Sequence, residues 1–218
     1  MNFFDHQSAF FTLWGYTMSY LEFFGTLAGA LAVWLSAKGK IISWPLGLLN
    51  VTLFFFLFYQ IQLYPDMFLQ VFFFITNILG WWRWSHPNKN EEDQKKELRV
   101  SFTSKKVLAL LGIAGFSVTF LFGLFASKLH VLLPNLFQQP SAFPYLDSFV
   151  TSMSIVATYL MVQKKVECWL VWLVVDVVAT GLYFNKGIYF VGAEYFVFCI
   201  IAAFGFIRWR KEVFRYAH

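Results

Sequence analysis

A single carboxylate, Asp176, stands amid a run of Val, Leu and Trp and closes the sequence Trp169-x-x-Trp172-x-x-x-Asp176. On a helix turning about 100° per residue, these three positions fall within about 60° of one face, and Tyr183 extends the stripe. An acid one and two turns from indole rings can hold a flat ligand that is cationic or carries hydroxyls. The rings stack on it, while the carboxylate accepts hydrogen bonds or balances charge. The plainer account is that both Trp anchor a membrane interface and Asp176 bonds a polar group on a neighbouring helix. Either way, an acid at such a place is costly and is a functional candidate by default.

Other polar groups share apolar surroundings. Asp66, Gln70, Phe73, Asn77 and Trp84 lie on one helical face. Asp66 follows Pro65 and suits the first turn of a helix. Gln70 and Asn77 lie deeper, where an amide could read a ligand's carboxamide or ribose hydroxyls, or serve as interhelical glue. Asn50 sits one position from the repeat-equivalent of Asp176, beyond Trp44, Pro45 and Gly47, which suggest a kink or hinge there. Glu194 is a second intramembrane acid, equally suited to binding or to a structural hydrogen bond. Gly25 and Gly29 form a G-x-x-x-G close-packing face that bears on assembly.

Enzyme chemistry finds little here. The four His (His6, His86, His130, His218) fall outside the apolar runs, no Lys lies within one, and no G-x-x-x-x-G-K-[ST] loop occurs. No catalytic residue, metal or cofactor is expected.

The elements that must position these residues follow from composition. Of 218 residues 59% are apolar and only 13% charged, and aromatics reach 22%, with 29 Phe and 9 Trp. Mean hydropathy is +0.59. A water-exposed surface could not accommodate this, so lipid is the natural solvent. Seven apolar runs, 20–37, 41–60, 64–84, 107–127, 147–163, 168–185 and 187–207, each approach the ~20 residues needed to span a bilayer. Triplets such as Phe54–Phe55–Phe56 do not alternate as barrel strands must, so the spans are helices. Fifteen of the seventeen Lys and Arg fall at alternate ends of the spans, seven of them between Arg83 and Lys106, leaving only Lys128 and Lys186 on the other side. The positive-inside rule then places the N-terminus outside and the C-terminus in the cytoplasm. The +5 charge is thus topological, not a nucleic-acid face. Residues 1–19, with Phe3, Phe10 and Trp14 at helical spacing, read as an interfacial helix or a loose tail. Cys168 and Cys199 lie in or beside spans, where a disulfide is not expected.

The chain also repeats itself. At an offset of 125, spans one to three align with spans five to seven without a gap: Phe24 with Phe149, Lys40 with Lys165, Trp44 with Trp169, Tyr64 with Tyr189, and Gly80-x-x-Arg83-Trp84 with Gly205-x-x-Arg208-Trp209. One extra span restores the orientation, so the expected fold is an all-α membrane protein. It has seven transmembrane helices, as two parallel three-helix repeats joined by a linker helix (3+1+3). The expected segments are 1–19, a first repeat 20–84, a charged cytoplasmic loop 85–106, a linker helix 107–127, an external loop 128–146, a second repeat 147–209 and a cytoplasmic tail 210–218.

These residues carry a resemblance. The 3+1+3 plan, the endings GWWRW (80–84) and GFIRW (205–209), and Trp169-x-x-Trp172-x-x-x-Asp176 resemble the PnuC family of bacterial vitamin B3 transporters. Its nicotinamide riboside members carry a W-x-x-W-x-x-x-[ND] signature on a fold similar to the SWEET sugar transporters. The resemblance implies facilitated diffusion of nicotinamide riboside across the bacterial inner membrane, trapping by a cytoplasmic riboside kinase, and a homotrimer. The expected substrate-binding residues are Trp169, Trp172, Asp176, Asn50, Gln70, Asn77, Tyr183 and Glu194, in an alternating-access carrier. A carrier of another cationic aromatic vitamin such as thiamine, and a cation channel lined by Asp176 and Glu194, remain alternatives.

Overall fold

The computed structural model describes residues 9–13, 16–60, 64–132, 142–186 and 189–216. Seven long α-helices dominate them: α1 (Tyr20–Ala37), α2 (Ser43–Gln60), α3 (Tyr64–Ser85), α4 (Lys105–Leu132), α5 (Pro144–Val162), α6 (Cys168–Asn185) and α7 (Tyr189–Tyr216). All but α3 are long and apolar enough to cross a bilayer. In α3 the polar residues Asp66, Gln70, Asn77 and Arg83 dilute the Phe-rich stretch. Along α4, Leu110, Ile113, Phe116 and Leu121 are all more than half exposed, as expected for a lipid-facing surface.

Several boundaries differ from the sequence expectation. The N-terminal segment is not helical where it is described. Ala9–Leu13 (β1) and Tyr16–Ser19 (β2) form an antiparallel hairpin, so the chain is not purely α. Thr and aromatic residues favour extended backbone there, Thr12 and Thr17 hydroxyls meet at 3.3 Å, and Phe10 packs on Tyr20, Phe23 and Phe24. Phe3 and Trp14 lie outside the described residues. Helix α4 runs on to Leu132, taking Lys128 and His130 into its last turns, and α7 continues to Tyr216 where a tail was expected from 210. The kink expected at Pro45 and Gly47 falls in the first turn of α2, where proline costs no helical hydrogen bond.

The chain forms two compact units, residues 1–99 and 100–218. In the first, α2 packs against both α1 and α3; in the second, α6 packs against both α5 and α7, and α4 lies on α5. The G-x-x-x-G face of α1 is used inside the first unit. A Cβ on Gly25 would stand 3.2 Å from the Phe54 ring, and one on Gly29 2.7 Å from Asn50 Nδ2.

The two units repeat one another down to individual hydrogen bonds. Helix α1 ends in a Schellman turn: Lys40 N–H donates to the Leu35 carbonyl (3.0 Å) and Gly39 N–H to that of Ser36 (2.8 Å), with φ +69° at Gly39. Helix α5 ends identically 125 residues on. There Lys165 N–H donates to Leu160 (2.9 Å) and Lys164 N–H to Met161 (2.9 Å), with φ +51° at Lys164. The next turns begin alike, Ser43 N–H bonding Lys40 and Cys168 N–H bonding Lys165, both at 3.1 Å. Trp44 then meets Trp84 edge to face (centroids 5.2 Å, 89°), and Trp169 meets Trp209 the same way (5.4 Å, 88°). Each first indole lies on the backbone of a glycine, Gly80 or Gly205. A Cβ at Gly205 would come within 2.6 Å of the Trp169 ring, and one at Gly80 would overlap that of Trp44.

The polar stretch expected as a solvated loop is ordered. Asp93 Oδ1 accepts from the N–H groups of Lys95 (2.7 Å) and Glu97 (2.9 Å), and Leu98 N–H donates to the Trp84 carbonyl (3.0 Å). Arg83 bonds both Glu91 oxygens at 2.9 Å. Partial burial raises the Glu91 carboxyl, but hydrogen bonds from Asn88 and Arg83, together with the guanidinium charge, outweigh it and hold its pKa below the ordinary value. Farther along, Ser101 pairs with the α5–α6 turn through Lys164 and Val166, and Thr103 N–H bonds the Glu167 carboxylate at 3.0 Å.

Gly80→Ala and Gly205→Ala each press a methyl into an indole and are expected to cost about 1–3 kcal/mol, read as a lower unfolding midpoint in detergent. Gly112→Ala and Gly181→Ala, where an added Cβ meets nothing within 4 Å, keep or raise the midpoint. Equal midpoints for all four variants would contradict the packing described.

Candidate functional site

Asp176 lies at the centre of α6 and is 3% exposed. Its backbone carbonyl accepts from the Thr180 hydroxyl at 2.7 Å, but its carboxylate makes no hydrogen bond or ion pair among the described residues. Cys199 on α7 lies near Thr180 and within electrostatic reach of Asp176.

The surroundings follow from how α6 divides its faces. Cys168 points to α5, its Sγ 3.9 Å from Met161 Sδ, and Val175, Ala179 and Leu182 continue that buried stripe. Trp169 and Thr180 mark the face toward α7. At helical spacing, Trp172 and Tyr183 fall between these two faces, with Asp176 beside them on the α7 side. Because α5 and α7 do not approach one another among the described residues, this edge of α6 lies in the cleft between them. Trp172 is half-buried, one turn from the acid.

Toward the end of the cleft, the Tyr183 ring stacks on Tyr195 (5.4 Å, 9°). Lys186 Nζ stands 5.7 Å from the centroid of the Tyr183 ring and bonds Asp147 at 2.7 Å, tying the end of α6 to the first turn of α5. Glu194 is half-buried on α7, beside Tyr195.

The expected residues divide between the units. Trp172, Asp176, Tyr183 and Glu194 belong to the second, together with Trp169, whose ring is closed off by Trp209 and Gly205 and is 1% exposed. Asn50, Gln70 and Asn77 belong to the first. Asn50 Nδ2 donates to the Gly25 carbonyl at 2.8 Å, strapping α2 to α1. Asn77 Nδ2 donates to Phe73 of its own helix at 2.8 Å, and its side-chain oxygen fills the space over Gly47. Gln70 is half-buried on α3. Sequence reasoning passed over Thr180, Tyr195 and Cys199. Only Thr180, one turn beyond Asp176, carried a helical-spacing signal; the other two join the site through the packing of α7.

Helices of bilayer length, with a buried acid and an indole one turn apart on one of them, define a polytopic membrane protein. Residues 19–211 match the family described as nicotinamide mononucleotide transporter, and the chain belongs to this family of membrane transporters. It is 37% identical over 212 residues to the nicotinamide riboside transporter PnuC of Escherichia coli, covering 89% of this chain and 87% of that protein. It is 24% identical to the riboflavin/roseoflavin transporter RibM of Streptomyces davaonensis, over 93% and 90% of the two chains. The crystal structure of the vitamin B3 transporter PnuC superposes with a TM-score of 0.65 at 25% identity, covering 90% of this chain and 83% of that one.

Trp169→Ala empties the space between Gly205 and Trp209 and is expected to destabilise by about 3–5 kcal/mol. Asp176→Ala removes a buried acid without a partner, so the unfolding midpoint stays or rises. A large loss of stability in Asp176→Ala would show that the carboxylate is structural.

Proposed function

We propose that this protein carries nicotinamide riboside across the bacterial inner membrane by facilitated diffusion. The observation that carries this reading is the partnerless Asp176 carboxylate in the α5–α7 cleft, one turn from Trp172, in a chain 37% identical to a transporter named for that substrate. Nicotinamide riboside joins a pyridinium cation to a ribose. The Trp172 face suits the flat cation, and Asp176 suits the positive charge or the ribose hydroxyls. Tyr183, already stacked on Tyr195, serves as a wall of the cleft, and Glu194 supplies a second acid near its end. Trp169 holds α6 against α7 from behind the site. Asn50, Gln70 and Asn77 belong to the first repeat, where Asn50 and Asn77 brace their helices through Gly25 and Phe73.

The family description names the mononucleotide. A phosphate needs a cation or clustered N–H donors, and α5 and α6 contain no Lys or Arg, while α7 has none before Arg208. This charge inventory favours the dephosphorylated riboside. Net uptake through an uncoupled carrier then requires that the substrate be consumed inside, a role suited to a cytoplasmic riboside kinase.

The seven helices form parallel repeats, α1–α3 and α5–α7, linked by α4, with the N-terminus outside and the C-terminus in the cytoplasm. Transport proceeds by alternating access in a homotrimer. The 125-residue register and the one-sided distribution of Lys and Arg support the repeats and the orientation, and the homotrimer rests on the resemblance to the PnuC family.

Isothermal titration calorimetry on the purified protein tests the site. Nicotinamide riboside binds the wild type, and Asp176→Ala and Trp172→Ala each weaken binding at least about tenfold, the scale of a lost charged hydrogen bond or a desolvated cation–π contact. Wild-type affinity in both variants would overturn the placement. In the same assay, tighter binding of thiamine, riboflavin or the mononucleotide would overturn the substrate. Single-channel conductance in planar bilayers would replace the carrier by a channel.

A further inference from the structure

The last turns of α7 combine features that the transport reading leaves unused. Helix α7 has 28 residues, about 42 Å at 1.5 Å per residue. That exceeds a hydrocarbon core of ~30 Å, so this end of the helix reaches into a headgroup layer. A groove of about 250 Å³ opens here, lined by Phe206, Ile207, Arg210, Lys211 and Phe214. Its apolar part is continuous with exposed surface, since Ile207 and Phe214 are both about half exposed. Phe102, in the segment between α3 and α4, packs on Phe214 at 6.1 Å and buttresses that ring. The Arg210 guanidinium lies 5.8 Å from the centroid of the Phe214 ring, so its position is set by the groove. Arg210 and Lys211 are exposed, and neither pairs with a carboxylate among the described residues.

We propose that this groove binds an anionic phospholipid, its acyl chain against Phe206, Ile207 and Phe214 and its phosphate between Arg210 and Lys211. A soluble anion would use the two cations but not the apolar lining, and a zwitterionic lipid would use the lining but bring no net charge. An anionic lipid uses both. The groove begins about two turns along α7 from Cys199, which lies near Asp176, and none of its lining residues is assigned to the substrate site.

Native mass spectrometry of the full-length protein, incubated with detergent-solubilised phosphatidylglycerol or phosphatidylcholine, tests this. Each Lys or Arg near an anionic surface is worth about fivefold in binding, so with two of them the wild type is expected to retain phosphatidylglycerol with a preference of roughly twenty-fivefold. Arg210→Gln with Lys211→Gln brings the two lipids to parity while the unfolding midpoint is kept. The equally exposed pair at the start of α4, changed as Lys105→Gln with Lys106→Gln, leaves the preference in place. Ile207→Asn weakens retention of both lipids, reporting the acyl contact. Parity in the wild type, unchanged preference in the Arg210/Lys211 variant, or equal stabilisation by soluble glycerol phosphate would overturn the proposal. So would a change in oligomer mass without a change in bound lipid, which would make this face an interface between copies of the chain.

Discussion

An indole set edge-on against a second indole and flat against a glycine is the contact on which each half of this protein depends. It joins the start of one helix to the end of the next, Trp44 to Trp84 across α2 and α3, and Trp169 to Trp209 across α6 and α7. In lipid, helices gain little from hiding apolar surface, because the solvent is as apolar as the side chains; close fit and dispersion must supply the association. A Trp ring lying on bare glycine backbone maximises that fit. The preceding Schellman turns, equally duplicated, aim the first indole by fixing where α2 and α6 begin. Every residue of the candidate site on α6 is therefore placed by a turn at Lys164 and a ring at Trp169, neither of which faces the site.

The scaffold is duplicated but the chemistry is not. Positions 172, 176 and 183 are Trp, Asp and Tyr; 125 residues earlier they are Gly47, Val51 and Phe58. The space over Gly47 is taken by Asn77, whose counterpart in the second unit is the small, buried Ala202. Where one repeat carries a large ring on its central helix and a methyl opposite, the other carries no side chain and an amide opposite. The side chain that fills the gap thus comes from the central helix α6 in one unit and from α3 in the other. One unit keeps an acid without a partner among the described residues, and the other satisfies the amides of Asn50 on Gly25 and of Asn77 on Phe73.

Much of this was legible in the sequence because periodicity in lipid is nearly unambiguous. The bounds of α1 and α6 match the apolar runs 20–37 and 168–185, and the self-comparison at offset 125 located both Trp pairs before any contact was known. The hairpin at 9–19 escaped because Phe3, Phe10 and Trp14 fit a helical period as well, and so few residues cannot separate the two periods. The helical ends beyond Ser127 and Trp209 escaped because a hydropathy run stops where lipid stops, whereas a helix stops only where its backbone bonds do. Burial separated Trp169 from Trp172, residues that spacing alone put on one face. No local pattern announces Cys199 or Tyr195, which enter through the packing of α7 on α6.

The persistence of an unsatisfied acid is the most informative energetic fact about the second unit. Burying a polar group without a partner costs about 1–3 kcal/mol even when neutral, and more when charged. The repeat-equivalent position is Val51, which is also buried. A Val at 176 would therefore be accepted by the scaffold and would remove the penalty. The proposed role in substrate binding accounts for that cost, since a lone carboxylate beside an indole is equipped to meet a cationic or hydroxyl-bearing solute.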